Sequence, residues 1–305
     1  MRALMFPGQG SQAVGMGRDL FEAHDGVRKT YEEANAALGY DIAALSFEGP
    51  AERLGQTDVT QPALLVSSVA VFRLLAERGL RFDVAFGHSL GEYSALVATG
   101  ALPFREAVGI VRRRGEAMLA AARVKPGGMA AVLGLDDVQV EELCAGLADV
   151  WPANYNSPGQ LVISGSGAGL ERLREQALAA GARKVIPLAV SGAFHSPYMA
   201  PAADALGAAL DAARWAAPSP RFFSVCTVAY ESAQLASLFR RQITSPVRFT
   251  QSVRRLAADG ADAFLELGPG AVLCGLVRRI VPEAATARAG DVDSVGALDE
   301  MWFTP

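Results

Sequence analysis

Gly87-His-Ser-Leu-Gly91 lies between an apolar run, residues 82–86, and a stretch of helical periodicity, residues 92–99. In that context it reads as a strand-to-helix elbow. Its glycines permit a tight, strained turn and hold the Ser89 hydroxyl clear at a helix N-terminus, the geometry of a nucleophile. The helix dipole then faces any negative charge developing beside Ser89; the competing reading is a helix-capping serine. A serine hydroxyl needs a general base within hydrogen-bond reach, and the chain has three histidines. His24 lies in a polar segment and reads as a surface residue. His88 adjoins the nucleophile in a turn where neighbouring side chains diverge, so it reads as a structural partner of the elbow and is counted with the residues around the substrate. His195, in the loop Ser191-Gly-Ala-Phe-His-Ser-Pro197, is left as the base. No acidic third member stands out.

Three consecutive arginines, Arg112 to Arg114, face different ways on one helical stretch. Arg112 shares a face with Arg105 and Glu116, and Arg113 with Glu106 and Glu116, so both are expected to be solvated and ion-paired. Arg114 has Ala107, Ile110, Ala117, Met118 and Ala121 at helical spacing, which sets a guanidinium against apolar surface. A buried arginine without a negative partner is costly. The partner is either an internal Asp or Glu, or a substrate carboxylate gripped by the bidentate fork. Gly8-Gln9-Gly10-Ser11-Gln12 lacks both the Gly-Lys-Ser/Thr ending of a phosphate loop and the dinucleotide-binding glycine spacing. Its glycines instead suit the approach of backbone amides to a reacting oxygen. In hydrolase-like elbows one oxyanion donor is the amide after the nucleophile, here Leu90, and the second comes from a loop after another strand, for which Gln9 is the candidate.

The elements that must position these groups follow from periodicity. Residues 2–6 read as a short buried strand, 15–38 as polar-rich helical structure, 62–79 as a strongly apolar helix, 82–86 as a strand, and 105–122 as a helix stopped before Pro126-Gly-Gly128. Strand, elbow and helix in that order predict a parallel α/β sheet. Beyond Gly128 come strand 129–133, helix 137–147, strands 150–155 and 161–164, helix 169–180 and strand 184–188, the β-α-β-β-α-β order of ferredoxin-like folds. The expected division is a small subdomain, 126–190, inserted into a large one formed by 1–125 and 191–305. Helical periodicity returns at 198–213, followed by a strand at 222–225, a helix around 247–258 and a buried strand at 263–267. From about residue 283 no pattern is assignable.

At 305 residues and 51% apolar composition the chain can bury a substantial core. A net charge of −4 with no basic block gives no electrostatic footprint for nucleic acid or an anionic membrane. Cys144, Cys226 and Cys274 are odd in number, far apart and without metal-ligand spacing, which fits buried thiols in a reducing compartment. The apolar start at residues 3–6 is too short for a signal peptide, and no apolar stretch is expected to approach the length of a membrane span. The expectation is a cytoplasmic protein with no nucleic-acid, membrane or metal partner. Nothing demands more than a monomer.

Six segments together resemble the malonyl-CoA:acyl carrier protein transacylase family, including the discrete acyltransferases that serve polyketide synthases lacking their own. They are Phe6-Pro-Gly-Gln-Gly-Ser-Gln12, Gly87-His-Ser-Leu-Gly-Glu-Tyr93, Arg114-Gly115, Asn156-Ser-Pro-Gly-Gln-Leu-Val-Ile163, Gly192-Ala-Phe-His195 and Gly268-Pro-Gly270. The likeness covers nearly the whole chain. It implies an α/β-hydrolase-like large subdomain with an inserted ferredoxin-like small subdomain, and a Ser-His dyad in which Ser89 is acylated by the CoA thioester while His195 is the base. It implies that His195 is oriented by a main-chain carbonyl near a glutamine, a position that falls on Gln242, so that no acid is needed. It places the carboxylate-binding arginine at Arg114 and the oxyanion amides at Gln9 and Leu90. Phe194 before the histidine and Leu90 after the serine resemble malonyl-selective forms, because Phe194 crowds a substituent at C2. The implied activity is ping-pong transfer of a malonyl group from malonyl-CoA to the phosphopantetheine thiol of an acyl carrier protein, in fatty acid or polyketide biosynthesis, with no resident cofactor. The alternative is an editing acyl hydrolase acting on acyl carrier proteins; such relatives tend to lack the arginine, so Arg114 weighs against it. A silent subunit that only docks carriers is opposed by the joint presence of Ser89, His195 and Arg114.

Overall fold

In the computed structural model, which describes residues 1–304, the strand Arg2–Phe6 is central to a six-stranded sheet. The order is Ala285–Ala289, Ala263–Leu267, Arg2–Phe6, Val84–Gly87, Arg221–Ser224, Ala229–Tyr230. The first five strands pair in parallel, and the last pairs antiparallel with Arg221–Ser224. Strands of such a sheet are buried on both faces. Leu4 and Phe6 accordingly enter one apolar cluster, while Ala3 and Met5 enter another on the opposite face with Phe86, Phe249 and Phe264.

The first cluster is built on two long helices, Thr57–Glu77 and Phe104–Val124. The former starts five residues before the expected 62, with Pro62 inside it. Pro62 forfeits one backbone hydrogen bond, but the turn before it is held by packing. Gly115 of the second helix approaches so closely that a Cβ there would lie 2.7 Å from the Thr57 carbonyl. At 21 residues, Thr57–Glu77 is long and apolar enough to cross a membrane by length and composition, contrary to the expectation that no stretch approaches that length. Of its apolar window, 83% is buried inside the protein, and it packs against Asp25–Leu38 and Phe104–Val124.

Residues 128–187 form a second sheet. Its strands Gly128–Leu133, Val150–Ser157, Gln160–Gly165 and Lys184–Pro187 pair antiparallel in the order second, third, first, fourth. Helices Asp137–Ala145 and Gly167–Ala179 cover it over a separate core of Val132, Val140, Leu161, Ile163 and Leu173. This is the ferredoxin-like order read from the sequence. Its edge is joined to the large sheet's side by backbone bonds between Tyr155 and Val247 and between Val247 and Ala153, both 2.8 Å.

Local pattern failed at the C-terminal end. Ala285–Ala289 is an edge strand in register with Ala263–Leu267, and its alternating small and polar residues carry little apolar signal. The Met301-Trp-Phe-Thr segment is anchored from afar. Trp302 is 1% exposed, its carbonyl accepts from Arg81 N at 2.8 Å, and Arg2 Nη1 donates to the Met301 and Thr304 carbonyls at 2.7 Å. The stretch 15–38 is two helices, Arg18–Ala23 and Asp25–Leu38, separated by an extended His24.

Candidate active site

Ser89 follows the strand Val84–Gly87 and precedes the helix Gly91–Ala98 with φ 53°, a left-handed conformation that costs a non-glycine residue energy. Both flanking glycines are sterically required. A Cβ on Gly91 would lie 2.0 Å from the Phe6 carbonyl oxygen, and one on Gly87 would lie 2.1 Å from the Gly91 carbonyl carbon. The elbow is therefore folded directly onto the end of the central strand, where His88 N donates to Phe6 O at 3.0 Å.

His195 approaches from the other side of the cleft, also at positive φ, 56°. Its Nε2 is 2.7 Å from Ser89 Oγ. Its Nδ1 faces two main-chain carbonyls, Ser245 O at 2.9 Å and Gln242 O at 3.2 Å. Carbonyls only accept, so the proton sits on Nδ1 and the Nε2 lone pair is aimed at the Ser89 hydroxyl. Burial pushes His195 down to about 3, and the nearby charges of Arg114 and His88 act in the same direction. The imidazole is neutral and can take a proton from Ser89.

Arg114 is 1% exposed. Its Nη1 donates to Gln61 Oε1 at 2.6 Å, and its Nη2 to Ser89 Oγ at 3.1 Å and Gln242 Oε1 at 3.2 Å; Nε has no partner among the described residues. Its guanidinium carbon is 5.7 Å from the centre of the Tyr93 ring. Every partner is neutral. No carboxylate of the described residues lies within ion-pair distance, so the internal ion pair that the sequence left open is absent. The guanidinium is free to take an anion entering beside Ser89.

These groups line a cavity of about 80 Å³. Gln9, Gln61, His88 and Arg114 supply its polar wall, while Met118, Met129, Leu188, Val190 and Phe194 supply the apolar one. A second cavity of about 240 Å³ shares Gln9, His88, Asn154 and Leu188 with it and runs between the two sheets. The backbone N–H groups of Gln9 and Leu90 have no hydrogen-bond partner among the described residues, and the Gln9 side chain is turned away to Thr57 Oγ1 at 3.3 Å. Gly8 permits that loop's approach, since a Cβ there would lie 2.5 Å from His88 O. His88 Nε2 bonds Asn156 Oδ1 at 2.9 Å and its ring lies against Phe249, so it braces the elbow to the small sheet while lining both cavities. Among the described residues no cluster of His, Cys, Asp or Glu could hold a metal.

A model of the acyl transferase domain matches residues 4–298. The chain belongs to the acyl transferase family. It is 43% identical over 299 residues to the malonyl CoA-acyl carrier protein transacylase of Bacillus subtilis (strain 168), covering 96% of this chain and 94% of that protein. It is 42% identical to the Escherichia coli (strain K12) protein of the same name, covering 98% and 99%. Among solved structures, an acyl carrier protein S-malonyltransferase from Vibrio cholerae superimposes with a TM-score of 0.95 at 42% identity, over 98% of this chain and 99% of that one. A malonyl-transacylase solved in complex with its type II PKS acyl-carrier protein gives 0.93 at 40%, over 96% and 97%.

Three features of this acyltransferase's site differ from the sequence reading. The nearer carbonyl to His195 belongs to Ser245, which the sequence did not single out; the turn after the helix Leu235–Gln242 points both carbonyls the same way. Gln61 was also missed, although a glutamine within the apolar run of Thr57–Glu77 was a readable signal. Arg113 is exposed and makes no ion pair among the described residues, because Glu106 pairs with Arg214 and Glu116 with Arg112.

Proposed function

We propose that this acyltransferase moves a malonyl group from malonyl-CoA to the phosphopantetheine thiol of an acyl carrier protein through a covalent Ser89 ester, in fatty acid or polyketide biosynthesis. The observation that carries the reading is Arg114, buried with neutral partners only and 3.1 Å from Ser89 Oγ. In a malonyl thioester the free carboxylate is two bonds from the carbonyl carbon, so an anion on Arg114 sets that carbon beside the serine. The names of the transacylases from Bacillus subtilis and Escherichia coli support the donor and the acceptor.

His195 Nε2 takes the Ser89 proton as Oγ bonds to the thioester carbon, and the carbonyl oxygen gathers negative charge between the Gln9 and Leu90 amides. The C–S bond breaks, and the thiol of CoA leaves with the proton from His195. The carrier's thiol then gives its proton to His195 and attacks the ester, and Ser89 recovers its proton as the malonyl group departs. His195 needs no acid partner in this cycle. The carbonyls of Ser245 and Gln242 fix its tautomer and take up part of the positive charge that forms on it.

Intact-mass measurement of holo carrier proteins after incubation with enzyme and a panel of acyl-CoAs tests the reading. Malonyl adducts are expected on the enzyme alone and then on the carrier, and release of free malonate without a carrier adduct would replace transfer by hydrolysis. Phe194 is proposed to exclude C2 substituents, with Leu90 completing that wall. In competition between malonyl-CoA and methylmalonyl-CoA, Phe194→Ala is expected to shift the ratio of kcat/KM toward methylmalonyl by about tenfold, the scale of one methyl group in an apolar pocket.

A further inference from the structure

Three residues after the nucleophile, Glu92 is 1% exposed and both of its carboxylate oxygens face hydrogen-bond donors. Oε1 accepts from Val225 N at 2.9 Å, and Oε2 accepts from Gln242 Nε2 in a short bond. That same Nε2 donates to the Ser89 carbonyl at 2.9 Å, while Gln242 Oε1 accepts from Arg114 Nη2 and its backbone carbonyl from His195 Nδ1, each at 3.2 Å. One glutamine thus touches the nucleophile's backbone, the base and the carboxylate-binding group. Its amide has two ends, and only one orientation fits. We propose that Glu92 is a positioning residue for acyl transfer: as a carboxylate it locks the orientation of the Gln242 amide, and a proton on Glu92 releases that lock. The proposal rests on the malonyl-transfer reading above.

The argument is one of donors and acceptors. A protonated Glu92 carries a donor where the Val225 N–H, the Gln242 amide and the Ser224 hydroxyl now donate to it. The Val225 N–H is fixed in the backbone, and the Ser224 oxygen already accepts from Cys226 N at 3.2 Å, so we take the Gln242 side chain as the group that turns. Turning sets its NH₂ against Arg114 Nη2, donor to donor, and its oxygen against the Ser89 carbonyl, acceptor to acceptor. Of the other groups around Glu92, two favour its charged form and two stay protonated themselves. Ser224, on the adjoining strand, favours the charged form, as does Arg114 on Phe104–Val124; Tyr93 on its own helix and Cys226 after the strand are both held protonated, their own pKa values raised by burial. Burial pushes Glu92 itself up to about 7, whereas His195 lies near 3. On that ordering, an acid limb near neutrality is expected from Glu92 and not from the base.

The test is the pH profile of kcat/KM for malonyl transfer in the wild type, Glu92→Gln, Gln242→Ala and the double variant, each checked for native thermal unfolding. The wild type is expected to fall below a midpoint near 7 to a plateau about ten- to a hundredfold lower, the scale of a lost hydrogen bond to a charged group. Glu92→Gln has a donor where Oε2 or Oε1 now accepts, so it should sit at the low plateau at every pH with no acid limb. Gln242→Ala has no amide to turn and should also lose the limb, and the two losses should not add in the double variant. A limb unchanged in Glu92→Gln, or additive losses, would overturn the proposal. If Glu92→Gln does not fold, a limb retained in Gln242→Ala overturns it and a lost limb supports it. A wild type that forms no malonyl-enzyme at any pH would instead bring down the malonyl-transfer reading.

Discussion

Ser89→Ala is expected to eliminate the malonyl-enzyme and to lower transfer to the carrier by on the order of 10⁴-fold or more, the scale seen when a covalent nucleophile is removed from a preorganised site. The loss is chemical, not structural. The left-handed φ of 53° at this position strains alanine as much as serine, and the glycines that let the elbow fold onto Phe6 are untouched. What goes is the single oxygen that is 2.7 Å from His195 Nε2 and 3.1 Å from Arg114 Nη2. Substrate should still bind, because the guanidinium keeps Gln61 and Gln242 and gains a carboxylate in place of the hydroxyl. Intact mass after incubation with malonyl-CoA gives the answer directly. A malonyl adduct persisting on this variant would move the nucleophile elsewhere.

The elbow was legible because its constraints are local: two glycines, a serine and a change of period from strand to helix lie within a dozen residues. Arg114 was legible for a related reason, since helical spacing alone set it apart from Arg112 and Arg113. The ferredoxin-like order was likewise written in short, well-punctuated elements. Ser245 was not legible, because a backbone carbonyl can come from any residue type and only the turn after Gln242 aims it at His195. The start of Thr57–Glu77 and the strand Ala285–Ala289 were hidden for another reason. Each is fixed by a distant surface, the first by Gly115 and the second by the edge of Ala263–Leu267. The helix Leu235–Gln242 buries Leu235, Leu238, Phe239 and Gln242, an i, i+3, i+4, i+7 spacing that marks one helical face in the sequence.

Arg114→Ala should separate substrates rather than lower all activity together. For malonyl-CoA the variant loses a charged, desolvated contact, and a fall in kcat/KM of about 10²- to 10³-fold is expected from the scale of truncating one partner of a buried charge pair. For acetyl-CoA, which has no second carboxylate, no such contact exists to lose. A second effect opposes the first, because the Arg114 charge is one of the causes that hold His195 near 3. Removing it makes the imidazole a stronger base for any acyl group. On the proposed reading, the malonyl carboxylate would bring the same neutralisation in the native enzyme when it meets the guanidinium, so the preferred substrate would also relieve the base. Acetyl transfer should therefore be preserved or raised in the variant while malonyl transfer falls. The truncation also leaves the Gln61 and Gln242 side-chain oxygens without Arg114, at about 1–3 kcal/mol for each group left unpaired, so thermal unfolding must be measured beside the kinetics. Steady-state rates with both thioesters on one preparation settle the matter: equal losses would show that Arg114 serves the fold of the site, and divergent ones that it reads the carboxylate.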